Sequence, residues 1–317
     1  MKLANIIWVT VAVMDASYCL AGGSLSSSFK DALTKGASAR VRLCVQDECG
    51  VPITNASIRA TLANRESDYS MYGITDTNGV YVVSGNTTGD YLQFLVSKAE
   101  YYDSWVKLSY IEMGKEHEVV NGKWQPFDAS HIIVLRRVQN PTALDIGNGN
   151  FVLTKQLNCW LGFDIQKHDF VHPHGAGEVV DFEVRIDWDG KWYPDYTGMG
   201  ISLRFATPYS GYYELPVNPV SKFKGPYAAD AERPFRQAAT FDEKVVSQTK
   251  RVQHTFDENK CWVVRSRCKI DETGKLVSAN YSVVHKFRFC CEPDGRGGFR
   301  VTGAFNPTPN DTNLEPK

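Results

Sequence analysis

Gly50-Val51-Pro52-Ile53-Thr54-Asn55-Ala56, then Thr75-Asp76-Thr77-Asn78-Gly79-Val80-Tyr81, then Val96-Ser97-Lys98-Ala99-Glu100-Tyr101-Tyr102: the run from 50 to 102 sets turn formers between short apolar segments. Asn78-Gly79 takes the positive φ that a tight hairpin turn demands. On the N-terminal side, Ala39-Arg40-Val41-Arg42-Leu43-Cys44-Val45 alternates apolar and polar with period two, the mark of a half-buried strand. Ala56–Leu62 alternates in the same way, and Tyr69–Tyr72, Val80–Val83, Tyr91–Val96, Trp105–Ile111 and Ile132–Val138 read as further strands. Short strands at regular spacing with turns between them predict a β-sandwich.

These segments, over about residues 38–138, resemble the carboxypeptidase regulatory-like domain family. The resemblance implies a transthyretin-like (prealbumin-type) β-sandwich acting as an accessory module rather than a peptidase. Ala99-Glu100 departs from the family, which often has glycine before the aromatic, and Met113–Ser130 is a long polar insert. A His-x-x-Glu pair like that of the metallocarboxypeptidase catalytic domain is absent from the chain.

Beyond the turn signal Asn140-Pro141, residues 142–305 read as a second, mostly antiparallel β domain, which makes the expected fold class all-β. Candidate strands are Cys159–Gln166, Glu178–Asp187, Gly200–Ala206, Lys260–Lys269, Leu276–Cys290 and Gly298–Phe305. Ala228–Glu232 and Phe241–Gln248 suit a helical turn or two, and residues 306–317 read as a frayed or surface-bound C-terminal tail. This half loosely resembles uncharacterised exported bacterial proteins.

Met1-Lys2 and the apolar run Ile6–Met14 suit a secretory signal peptide over residues 1–21, cut after Ala16 or Ala21. The large Tyr18 argues against lipid anchoring at Cys19. The run is too short to span a bilayer, and no other stretch reads as transmembrane. Export to a bacterial periplasm, cell surface or exterior permits disulfides. Cys44 and Cys49 flank a predicted turn that would bring them together; free, buried thiols are the alternative. The 35 basic and 36 acidic residues balance, which gives no electrostatic case for nucleic acid.

Two constellations carry chemistry. His168, His172, His174 and Glu178 lie within eleven residues, and neutral imidazoles with a carboxylate suit a divalent metal such as zinc or copper. The plainer reading is a polar loop with solvated histidines. Trp188, Trp192, Tyr193 and Tyr196 sit on a predicted turn and would stack on a glycan if exposed, or fill the core if not. No nucleophile elbow, phosphate loop or dinucleotide glycine pattern is present. Together these features point to an exported, non-catalytic protein, structural or recognising a glycan or another surface protein. The rival is a carbohydrate-active or metal-dependent hydrolase with its site in the second domain.

Overall fold

The computed structural model describes residues 26–89, 91–110, 119–147, 150–188, 191, 198–246, 251–254, 256–257, 259–292 and 294–317. The signal-peptide segment lies outside them. Among the described residues the structure is β apart from the helix Ser27–Lys35. Ser26 caps that helix by accepting the Phe29 N–H at 3.2 Å, and Gly36 ends it at φ +79°. Its inner face presses Phe29 edge-on against Trp124, with ring centroids 5.7 Å apart.

The N-terminal lobe is a two-layer sandwich. In one sheet Ala37–Gln46 lies between Val80–Thr87, antiparallel, and Ala129–Val134, parallel. The other sheet runs in the order Tyr69–Ile74, Ser57–Leu62, Leu92–Ser97, Ser104–Leu108. Alternate residues of the facing strands, among them Val41, Leu43, Ile58, Leu62 and Phe94, form the core. The turn residues act as locks. Thr75 is buried; its hydroxyl donates to the Ile53 carbonyl and accepts the Ala56 N–H. Asp76 accepts the amides of Asn78 and Val80, while Gly79, at φ +71°, passes so close to the Val45 carbonyl that a side chain would sit 2.4 Å from it.

The C-terminal lobe packs two sheets face to face. One runs Asp145–Ile146, Gly297–Phe305, Leu276–Cys291, Lys260–Ile270, Gly211–Pro216; the other runs Asp169–Phe170, Leu161–Asp164, Phe182–Asp187, Gly198–Arg204, Ala238–Val246, Arg251–His254. Aromatic rings fill the space between them: Phe163 stacks on Phe182 at 5.3 Å and meets Phe299 edge-on, while Trp262 stacks on Tyr212 at 3.6 Å. The first sheet also buries its opposite face, through Tyr213, Val263, Tyr281, Val283 and Leu314. Residues 241–246, expected to form a helical turn, instead continue a strand, because the 198–204 strand offers Phe241 a ladder partner and its ring finds Trp262 at 5.3 Å.

The tail is not frayed. Asn306, Leu314 and Glu315 are buried, and the Glu315 carboxylate accepts the amides of Gln139 and Asn140 at 2.7 and 2.6 Å. A short polar segment docks when its acceptors meet backbone donors that would otherwise be buried unpaired.

An arm, residues 217–227, ties the lobes together. Ser221 bridges to Ser104, and the Trp105 N–H donates to the Val220 carbonyl at 2.7 Å. Arg136, only 7% exposed, lies between the rings of Phe223 and Tyr227 at 4.2 and 4.3 Å. Its guanidinium donates to Glu48 at 2.9 Å and to the carbonyls of Phe223 and Gly225. Removing it strips the counter-charge from Glu48 and leaves two carbonyls unpaired. Arg136→Ala is therefore expected to cost about 3–5 kcal/mol in urea unfolding, with new proteolytic cutting in the arm; an unchanged digest would show that the clamp does not hold it.

His285 packs beneath the same arm, where a methyl on Gly225 would come within 3.3 Å of its ring. Burial, with a smaller contribution from Lys224, lowers its pKa from 6.5 to about 4. The folded chain resists protonation there and the unfolded chain does not. His285 thus contributes stability that is complete above pH 6.5 and lost as pH falls towards about 4. The loss is at most about 3 kcal/mol. Urea titrations across that range should show the slope, and His285→Leu should flatten it.

Candidate functional site

The site grows from a strand that ends early. In the Gly211–Pro216 edge strand, Tyr212 exchanges both backbone hydrogen bonds with Arg236, at 2.9 and 2.8 Å. The next pair in that antiparallel ladder would be Glu214 with Pro234. Proline has no N–H to donate, so the ladder stops and the 230–235 loop swings away. A cleft of about 450 Å³ opens in the gap. Arg265 fixes the loop: it donates to the carbonyls of Tyr209 and Ala231 at 2.7 and 2.9 Å and lies 3.9 Å over the Phe235 ring.

Tyr213 and Phe235, 5.1 Å apart and edge-on, form one wall with Leu215. Cations rim the cleft. Arg233 lies 4.8 Å over Tyr213, and Arg236 sits beside Tyr212. Lys260 pairs with Glu214 at 3.3 Å and Asp257 at 3.4 Å, and both carboxylates, Glu214 first, raise its pKa. Neither Arg233 nor Arg236 forms an ion pair among the described residues. Burial raises the Tyr213 pKa, so its hydroxyl stays neutral and accepts the Asp230 N–H at 2.7 Å. Apolar walls with exposed guanidiniums suit a ligand carrying an anionic group. A second cleft of about 470 Å³ shares Leu215 and Pro216, but its Arg136 and Glu48 are already committed to the junction.

The histidine constellation does not assemble. Among the described residues no group of three or more His, Cys, Asp or Glu side chains could hold a metal ion. His172, His174 and Glu178 are exposed on a tight turn in which His172 N–H bonds to Gly177 O and His174 N–H to Val171 O. His168 turns the other way, at φ +53°, and its ring covers Gly147. Neither ring nitrogen has a hydrogen-bond partner, and burial lowers its pKa against the opposing pull of Asp164 and Asp145.

The carboxylates beside that loop are structural. Asp164 and Asp181 are buried and share Arg267, whose Nη2 lies 2.8 Å from Asp164 and whose Nε lies 3.0 Å from Asp181. Asp164 also accepts the amides of Lys167, Glu178 and Val179. Burial raises the Asp181 pKa, while Arg267, Ser266 and the Ile165 amide oppose the rise.

Trp188 cannot stack on a glycan: it is 3% exposed, packed among the aromatics of the core, and donates through Nε1 to the Lys191 carbonyl. Trp192, Tyr193 and Tyr196 lie outside the described residues. Cys44 and Cys49 carry free thiols. The bridge between Gln46 and Pro52 sets residues beyond Ile53 level with Cys44 and leaves Cys49 at the exposed tip of the turn. The residues that do converge, Arg233, Arg236 and the Glu214 edge, escaped the sequence reading. Arg233-Pro234-Phe235-Arg236 does set two cations around proline and an aromatic.

No family model matches the chain. No curated protein matches it either. Among solved structures it is similar to 3-chlorocatechol 1,2-dioxygenase from Rhodococcus opacus 1CP, at 16% identity and a TM-score of 0.25, over 32% of this chain and 60% of that one. Hydroxyquinol 1,2-dioxygenase from Pseudomonas putida DLL-E4 matches at 13% identity and a TM-score of 0.24, over 33% and 58%. Chlorocatechol 1,2-dioxygenase from Pseudomonas putida matches at 13% and 0.26, over 38% and 69%. The chain spans less than two thirds of the first two, and at these scores the likeness carries no argument about activity.

If the Asp164–Arg267–Asp181 cluster holds the loop in place, Arg267→Met should lower unfolding free energy by about 3–5 kcal/mol, because two carboxylates lose their counter-charge in a dry setting. A loss under about 1 kcal/mol, the scale of a solvated pair, would refute that role.

Proposed function

We propose that this chain is an exported, non-catalytic, two-lobed β protein that works by recognition at a bacterial periplasm or cell surface. The cleft beside the Gly211–Pro216 strand carries the reading: apolar walls and cations without ion-pair partners among the described residues face one concavity. Among the described residues, the buried carboxylates and exposed histidines of the region where a hydrolase site was expected do not converge. Asp164 and Asp181 hold Arg267, and His172 and His174 project from a turn held by its own backbone bonds. We propose that the first lobe is a carboxypeptidase regulatory-like module. In support of that reading, its two sheets pack as a sandwich and the Thr75–Gly79 turn is locked by side chain and backbone together.

The test is turnover. Purified protein, assayed with chromogenic glycosides and esters with and without added zinc or copper, should give no activity above buffer. The His172→Ala, His174→Ala double variant should bind metal no less than the parent. Turnover that this variant loses would reinstate the hydrolase and reject the proposal.

A further inference from the structure

We propose that the Glu214 edge captures the free C-terminus of an extended peptide by strand addition, an inference that rests on the recognition reading above. The ladder parity fixes which backbone groups are available. Tyr212 turns its N–H and C=O outward, to Arg236, so Glu214, two residues on, turns its own outward too. Pro234, which the register would pair with Glu214, has no N–H to donate, and the bridge ends at Tyr212 and Arg236. An edge N–H and C=O thus face the 450 Å³ cleft with no main-chain partner among the described residues. Such a pair is the template on which an extended segment adds as a strand.

The same geometry sets polarity and length. The slot is closed at Tyr212, where the chain's own Arg236 occupies the edge, and at its other end Pro216 lines both this cleft and the second one. A guest running antiparallel to Gly211–Pro216 exchanges both bonds with Glu214 and must then end. Its last atoms meet the closed end, which Arg233 and Arg236 flank. Arg233 lies over Tyr213 and Arg236 beside Tyr212. Adjacent strand residues point to opposite faces, so the two guanidiniums approach from either side of the sheet. A terminal carboxylate supplies the charge they lack, and in an extended chain it falls in line with the strand. Lys260 does not repel the fit or compete for it, because Glu214 and Asp257 already hold it. Tyr213, Leu215 and Phe235 give the guest's side chains an apolar wall on one face.

The probe is a pool of short fluorescein-labelled peptides of random sequence, made once with free C-termini and once as C-terminal amides, passed over the immobilised full chain. The free-carboxylate pool should bind at least about tenfold more tightly, the scale of one charge-assisted contact. Arg233→Ala with Arg236→Ala should remove that preference. Glu214→Pro deletes the outward-facing N–H together with the carboxylate that pairs with Lys260, and proline is tolerated on an edge strand; it should abolish retention, while Glu214→Gln, which loses the charge and keeps the N–H, should retain it. Equal retention of both pools, retention of neither, or full retention by Glu214→Pro overturns the proposal. If near-ultraviolet circular dichroism shows Glu214→Pro unfolded, the double arginine variant decides, and an undiminished carboxylate preference there overturns it. Retention of acidic oligosaccharides instead, untouched by Glu214→Pro, also overturns it yet leaves recognition standing. Only turnover in the hydrolase assays removes both.

Discussion

The burial of the Arg136 guanidinium constrains everything around the junction. A cation taken out of water must find its compensation locally or destabilise the fold. Arg136 finds it in two rings, one carboxylate and two carbonyls, and most of these come from the arm at 223–227. The arm therefore cannot drift without exposing the charge's desolvation cost. Tyr227 adds a second tie, with its hydroxyl 2.7 Å from both Glu48 and the Arg137 carbonyl. Glu315 adds a third from the tail, so that three distant segments meet the same short stretch 136–140.

Fixing the arm also fixes the loop on its C-terminal side. The chain leaves Tyr227, turns at Asp230 to Arg233, and returns to pair Arg236 with Tyr212. That return protects half of an edge strand and stops at Pro234. Exposed edges invite wrong partners, and folded proteins cover them or keep them short. Here the cover is incomplete by one residue pair, and the uncovered part is the part with cations around it. A cleft of this origin owes its shape to a missing amide hydrogen more than to any large side chain.

Much of the fold was legible because its signals are local. Ala39–Val45 and Val180–Asp187 alternate with period two, and the first appears in the structure as a strand with every second residue buried. In the second, Phe182–Asp187 is the strand, while Val179 and Val180 remain exposed ahead of it. The Asp76–Gly79 turn announces itself through residues that bond to their own neighbours. The Gly211–Pro216 strand was not legible, because Tyr212 and Tyr213 are both buried, one on each face, and alternation disappears. The tail misled for a related reason. Its asparagines and prolines read as loop, and they are loop, but Glu315 has partners that lie about 175 residues away and the Leu314 N–H finds the Tyr227 carbonyl. Trp188 shows the same limit: exposed and buried tryptophans look alike until the sheet that covers them is known.

Arg136, buried, and Arg267, half-buried, differ in what they join. Arg136 joins segments far apart in sequence, and Arg267, at φ +52° in an irregular stretch of its strand, turns inward to satisfy Asp164 and Asp181. Both are fully engaged and can offer nothing to a ligand without first breaking a structural bond. Arg233 and Arg236 have no carboxylate partner among the described residues, although Arg236 meets the Tyr212 hydroxyl, and holding two unneutralised guanidiniums near one concavity is unfavourable unless water or a guest anion screens them. Aromatic contact relieves part of that cost for Arg233 through the Tyr213 ring. The remainder is met in part by Asp230, whose charge acts on the Tyr213 hydroxyl alongside that of Arg233. On the proposed reading, guanidiniums without carboxylate partners among the described residues, set beside an unpaired strand edge, give an anionic guest its electrostatic reason to bind there.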